Sequence, residues 1–157
     1  MRTQRQIVDF SLKRRAVLRE VFSGRVGRHE VCDASPYLKN AARFHGEPTE
    51  VRCPVCRSEN LIHVHYIYGD ELKQSAGQAR TRAELSVLAM TLREFRVFVV
   101  EVCPACDWNH LIEQYLLGRD GLAGPEAADA EAGVAAGAGT AAAAERPAAR
   151  RRREARR

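Results

Sequence analysis

The sequence predicts an α+β protein in which N-terminal helices pack on a small antiparallel ribbon with a helical insertion, followed by a disordered tail. Three observations lead there. Helical periodicity dominates the first 45 residues. Beyond them, two short cysteine motifs recur 50 positions apart, each running into a β-rich stretch. From Gly118 onward the aromatics vanish and Ala, Gly, Pro, Glu and Arg take over. Such a stretch buries too little apolar surface to offset the entropy of ordering. The 157 residues therefore divide into a helical part (1–50), a ribbon-like domain (51–118) and a disordered Ala/Arg-rich tail (119–157).

The elements follow in order. Thr3 and Gln6 have capping-box spacing, and Ile7, Phe10, Val17, Leu18, Val21 and Phe22 recur at helical intervals before Gly24. One amphipathic helix is expected over 4–22, its other face carrying Arg5, Lys13, Arg15 and Arg19. Residues 25–34 can form a short helical turn. Ser35 caps a second helix over 36–45, Pro36 suits its first position, and Gly46 ends it. Glu47-Pro48 breaks the chain before Val51 leads into the first cysteine pair. Leu61 to Tyr68 is β-branched and aromatic, hence a strand, and Gly69-Asp70 is a turn. Thr81 and Glu84 form a second capping box ahead of Leu85, Leu88, Ala89 and Leu92, which places an inserted helix over 82–93. Strands over 95–102 and 110–117 complete the ribbon.

The chemistry resides in Cys53-Pro54-Val55-Cys56 and Cys103-Pro104-Ala105-Cys106. Thiolates two residues apart can reach one ion at about 2.3 Å, and proline presets the turn. Two such turns supply four ligands and leave no open position, which predicts one structural zinc ion held by Cys53, Cys56, Cys103 and Cys106. A thioredoxin-like centre would instead use a single motif in a strand–helix–strand unit. Forty-six residues separate Cys56 from Cys103, where a simple ribbon uses roughly 15–20, and the predicted strand and helix account for the excess. Arg57 and Asp107 follow the second cysteines. Arg tolerates a left-handed conformation poorly, so the first turn is expected to be the less regular one.

The paired turns resemble the zinc-ribbon group. Residues 1–118, including Glu30-Val31-Cys32-Asp33-Ala34-Ser35-Pro36-Tyr37-Leu38 and Cys106-Asp107-Trp108-Asn109-His110-Leu111, resemble a family of small actinobacterial proteins that is a domain of unknown function. That resemblance implies boundaries and a host type, and no activity.

Other chemistry-bearing residues have plainer readings. Cys32, alone between helices, reads as a small core residue rather than a redox sensor or alternative ligand. His63 and His65 share a strand face expected to be half-exposed. His45 reads as a donor at a helix end, His110 as packing, and Trp108 as an anchor for the second turn. No nucleophile triad, phosphate loop or carboxylate pair stands out, so no enzymatic activity and no small-molecule substrate are expected.

Charge is segregated. Residues 1–28 hold eight Lys/Arg against two acids, whereas 29–118 hold nine against twelve. Residues 145–157 contain seven Arg, including Arg150, Arg151, Arg152 and Arg153. Any attraction for nucleic acid or acidic partners must come from the ends, through Lys13, Arg15, Arg19 and those arginines. The first two helices can be drawn as a helix-turn-helix-like unit, although Lys39 and Arg43 make a thin recognition helix. Met1 to Leu18 lacks an apolar core segment, and no run approaches the roughly 18 apolar residues of a membrane span, so the cytosol is expected. The function expected is a non-enzymatic zinc-binding adaptor or regulator that contacts nucleic acid or a nucleic-acid machine. The alternatives are a pure protein-interaction module and a thiol redox or metal sensor.

Overall fold

Each cysteine turn joins two strands that fold back on each other as a hairpin, and the two hairpins pair side by side. In the computed structural model, which describes residues 4–121, β1 (Arg5–Asp9), β2 (Glu47–Arg52), β3 (Asn60–Tyr68), β4 (Ala79–Arg80), β5 (Phe95–Val102) and β6 (Asn109–Leu117) form one six-stranded sheet. Its order is β1-β6-β5-β3-β2, with β4 also on β3, and every pairing is antiparallel. The helices are α1 (Ser11–Phe22), α2 (Arg28–Val31), α3 (Pro36–His45) and α4 (Arg82–Thr91). The sheet takes strands from both sides of residue 50.

The N-terminal helix is shorter than its periodicity implied. Residues 5–9 are strand β1, and only Ser11–Phe22 are helical. The edge of β6 offers unpaired backbone groups, and β1 satisfies them through Arg5↔Leu116, Val8↔Gln114 and Asp9↔Glu113. Asp9 then accepts a bond from the Ser11 amide at the strand-to-helix junction. Arg5 consequently leaves the basic helix face and pairs with Glu94 at 3.0 Å. Thr3, half of the proposed capping box, lies outside the described residues. Phe22, assigned to the apolar face, is 62% exposed.

The later elements lie close to expectation. Ser35 Oγ accepts the Leu38 amide at the start of α3. That helix ends at Gly46, where the backbone turns extended (φ −78°, ψ 151°), and the close Ala42 carbonyl leaves no room there for a Cβ. The Thr81–Glu84 capping box starts α4, with the Thr81 amide donating to Glu84 at 2.8 Å. Pro48 falls on edge strand β2, where a missing donor is tolerated.

The two sheet faces are covered separately. Ala41 and Ala42 of α3 pack with Val64, Ala79 and Val102 on one face. On the other, Leu85 and Ala89 of α4 meet Ile67, Phe95, Val97, Val99, Tyr115 and Leu117. The sulfur-bearing end has its own cluster, in which Leu18 of α1 packs with Leu61, Trp108, Cys53 and Cys103. Because α1 docks at the cysteine turns and α3 on the sheet, they do not form a helix-turn-helix unit. No helix of the described residues is long and apolar enough to cross a membrane.

Candidate metal centre

Both Cys-Pro-x-Cys turns sit at one end of the sheet. Cys53–Cys56 lies between β2 and β3, and Cys103–Cys106 lies between β5 and β6. Pairing of Ile62 with Val102 on the central strands brings the turns side by side. The 46-residue spacing is thereby explained, since β3 runs away from the site for about 25–30 Å and β5 returns.

The four Sγ atoms of Cys53, Cys56, Cys103 and Cys106 all lie within 4.8 Å of one another. Cys53–Cys106 and Cys56–Cys103 are each 3.6 Å apart. A tetrahedral ion with sulfur at about 2.3 Å has edges of about 3.8 Å, so the donor set fits a metal ion. The turns also match internally. Arg57 and Asp107 donate their amides to the Cys53 and Cys103 carbonyls, at 3.0 and 3.1 Å. Both residues adopt positive φ, 57° and 64°. The expected irregularity at Arg57 is therefore absent, and its side chain bears the left-handed conformation. Such a conformation costs about 1–2 kcal/mol for an L-residue. Arg57→Gly is expected to raise the urea midpoint of the metal-loaded protein by the equivalent of about 0.5–1 kcal/mol, after glycine's greater unfolded-state entropy is subtracted. Asp107→Gly should gain nothing, because Asp tolerates the conformation better and its ion pair with Lys39 (3.1 Å) is removed.

Cys53 and Cys103 are fully enclosed, while Cys56 and Cys106 are partly exposed. Burial pushes the Cys103 and Cys106 thiols up, and the Ser58 amide at 3.4 Å pulls Cys56 down. Four thiolates this close carry a charge that a cation would offset, so metal uptake releases protons and weakens in acid.

Behind the sulfurs lies an assembly that sequence reading missed. Glu101 is 3% exposed, and one of its carboxylate oxygens accepts from Arg14 Nε at 2.6 Å and from the Trp108 indole at 2.8 Å. Trp108 is wholly buried and stacks on His110, at 5.9 Å between ring centroids. The anchoring role expected for Trp108 thus has a polar partner. The signal was present: Glu101 interrupts the apolar run Val97–Val102 at a position whose alternation points inward. Glu101 stands in register between His63 on β3 and His110 on β6. The strand face is less open than expected, since His65 is 2% exposed, and burial holds His63, His65 and His110 below the ordinary imidazole range.

Cys32 is partly buried, as a small residue packed against the cluster at the cysteine turns. Its Sγ lies 3.8 Å from Cys106 Sγ. Lys13, Arg15 and Arg19 are exposed on α1, and among the described residues none of them enters an ion pair. Arg15 and Arg19 share one flank and Lys13 falls on the other. Arg150, Arg151, Arg152 and Arg153 lie outside the described residues.

A family model described as a family of unknown function, DUF5318, matches residues 1–131. The chain belongs to this family. It is 52% identical over 118 residues to uncharacterized protein Mb0050 of Mycobacterium bovis and to uncharacterized protein Rv0049 of Mycobacterium tuberculosis, spanning 75% of this chain and 86% of each relative. The actinobacterial resemblance drawn from the motifs is thereby established. No solved structure matches this DUF5318 chain.

Proposed function

We propose that this chain is a non-enzymatic zinc protein that serves as an adaptor or regulator, presenting a cationic helix to nucleic acid or to a nucleic-acid-bound assembly. The carrying observation is the docking of α1. Its Leu18 is packed among the cysteine turns while Arg15, Arg19 and Lys13 face solvent. A metal at the turns would therefore hold the cationic surface in place. Zinc is the ion favoured by four cysteine sulfurs at tetrahedral spacing.

Binding of the intact chain to DNA and RNA across a salt series tests this reading. Replacing Lys13, Arg15 and Arg19 by Gln keeps good helix formers and removes three charges. Affinity should fall with little change in stability. On duplex DNA the slope of log K against log salt should flatten by about 0.9 for each phosphate that is no longer neutralised. Deletion of residues 145–157 forms the second arm and should act in the same direction. Absence of binding by the intact chain at low salt would remove nucleic acid from the proposal.

A second reading rests on a specific feature of the same helix. Leu12 and Phe22 are 73% and 62% exposed on the solvent side that also carries Arg15 and Arg19. Large apolar residues beside arginine are characteristic of protein contact surfaces. A protein partner would make Leu12→Ser and Phe22→Ser more damaging to binding than the three Gln substitutions.

A further inference from the structure

We propose that Cys32 and Cys106 form a built-in oxidation site at which a hydroperoxide converts the metal centre into a disulfide and releases the ion. This rests on the tetrad holding a metal. Three features of the fold support it.

The first is distance. Cys32 Sγ lies 3.8 Å from Cys106 Sγ, close to the 3.6 Å separations within the tetrad. Yet the four-sulfur set is complete without Cys32. Its sulfur is thus next to a ligand and is not required as one.

The second is that the proximity is enforced. The segment after α2 is tied to the second cysteine turn at several points. The Ala34 amide donates to the Asp107 carbonyl at 3.0 Å. Asn109 Nδ2 donates to Asp33 Oδ1 at 2.9 Å. Lys39 pairs with Asp107 at 3.1 Å. Residues next to Cys32 and Cys106 are therefore held together, which raises the effective concentration of one sulfur at the other.

The third is access. Cys53 and Cys103 are 0% exposed, whereas Cys32 and Cys106 are both partly exposed. Two routes of oxidation compete. A bond within the tetrad would use up two ligands and involve an enclosed sulfur in most pairings. A Cys32–Cys106 bond uses up one ligand, leaves three, and joins two sulfurs that small oxidants can reach.

The chemistry balances. One sulfur of the pair attacks the distal oxygen of the hydroperoxide, and the O–O bond breaks. The departing oxyanion takes the proton given up by the attacking thiol, or one from solvent where a metal-bound thiolate attacks, and leaves as an alcohol, or as water from hydrogen peroxide. The sulfenic acid so formed is attacked by the other sulfur; the S–S bond forms and the hydroxyl leaves as water with the second thiol's proton. The two sulfurs lose two electrons and the hydroperoxide gains them. Both sulfurs must close from 3.8 Å to about 2.05 Å, which side-chain rotation with a small backbone adjustment can supply.

The test uses the full chain loaded with zinc and treated with stoichiometric hydrogen peroxide. Metal release is followed with a chromogenic chelator, and disulfides are mapped by mass spectrometry at early times. The expected result is a Cys32–Cys106 linkage as the first bond, one ion released per bond, and recovery on thiol reduction with added zinc. Cys32→Ser should bind one ion and release it at least about tenfold more slowly. Another first-formed pair would overturn the proposal, as would unchanged release from Cys32→Ser. Loss of the ion from Cys32→Ser before oxidation would also overturn it, by making Cys32 a ligand. If the wild-type chain takes up no metal, the metal reading fails separately. The mapped disulfide then still decides the pairing, with Cys32–Cys106 supporting it and any other bond refuting it.

Discussion

Removal of the metal is expected to unfold the sulfur-bearing end of the molecule. Cys53, Cys103, Leu61, Trp108 and Leu18 form one cluster, and two of its five members belong to the cysteine tetrad. Metal binding to such sites contributes about 10 kcal/mol or more in small zinc peptides. That is comparable to the entire stability of an ordinary domain, about 5–15 kcal/mol. Chelation, or Cys103→Ser, should therefore free Trp108 from its enclosed site. The chain contains a single tryptophan, so its emission reports on that position alone. A red shift on chelation, reversed by zinc, is the expected reading. Amide protection should fall first in α1 and the two cysteine turns. It should persist longest around Phe95, Val97 and Tyr115, where α4 supplies a separate apolar cluster. Retention of one full equivalent of metal by Cys103→Ser would refute the four-cysteine site. An unshifted tryptophan after verified metal loss would refute the coupling to folding.

Disruption of the Arg14–Glu101–Trp108 assembly is expected to be the next most costly change, about 3–5 kcal/mol, without touching the metal. The Glu101 side chain is 4% exposed and that of Arg14 is 22% exposed, so the pair is largely removed from water. Taking away one partner leaves an uncompensated buried charge, which typically costs about 3–5 kcal/mol. Arg14→Leu should therefore lower Tm by about 10–20 °C while metal content stays at one equivalent. Arg14→Leu combined with Glu101→Leu should recover much of that deficit, because matched apolar replacement of a buried pair is often neutral. Recovery should remain incomplete, since the Trp108 indole N–H then lacks its acceptor, a deficit of about 1–3 kcal/mol. Denaturant unfolding of the parent, the single variant and the double variant supplies the measurement. If Arg14→Leu is as stable as the parent, the ion pair has no energetic role, and the Trp108 indole bond to Glu101 is the part of the assembly that remains.

These two expectations draw on different kinds of information. The four clustered cysteines were legible in the sequence, because Cys-Pro-x-Cys is a local device whose turn and pair of sulfur donors lie within four residues. The same holds for α3 and α4, whose caps at Ser35 and at Thr81 with Glu84 are local hydrogen bonds. The α+β class followed from those elements and from the β-branched runs.

The rest depended on which segments meet. Residues 5–9 carry helical periodicity, yet they form β1 because the open edge of β6 offers them backbone partners. Periodicity records side chains and is blind to an unpaired edge. The positive φ at Arg57 is imposed by closure of its turn on the Cys53 carbonyl, against the residue's own preference. Glu101 gained its meaning only when α1 brought Arg14 against it across 87 positions of sequence. Cys32 became more than a small apolar residue only when Asp33 and Ala34 were tied to the second turn, setting its sulfur beside Cys106. The sequence by itself thus determined the two cysteine turns with their four sulfur donors and the locally capped helices, because their energetics are satisfied within a few residues. The tertiary structure alone decided the N-terminal strand, the buried charge network and the fifth sulfur, because each arises from groups distant in the chain that are forced together by burial and backbone pairing.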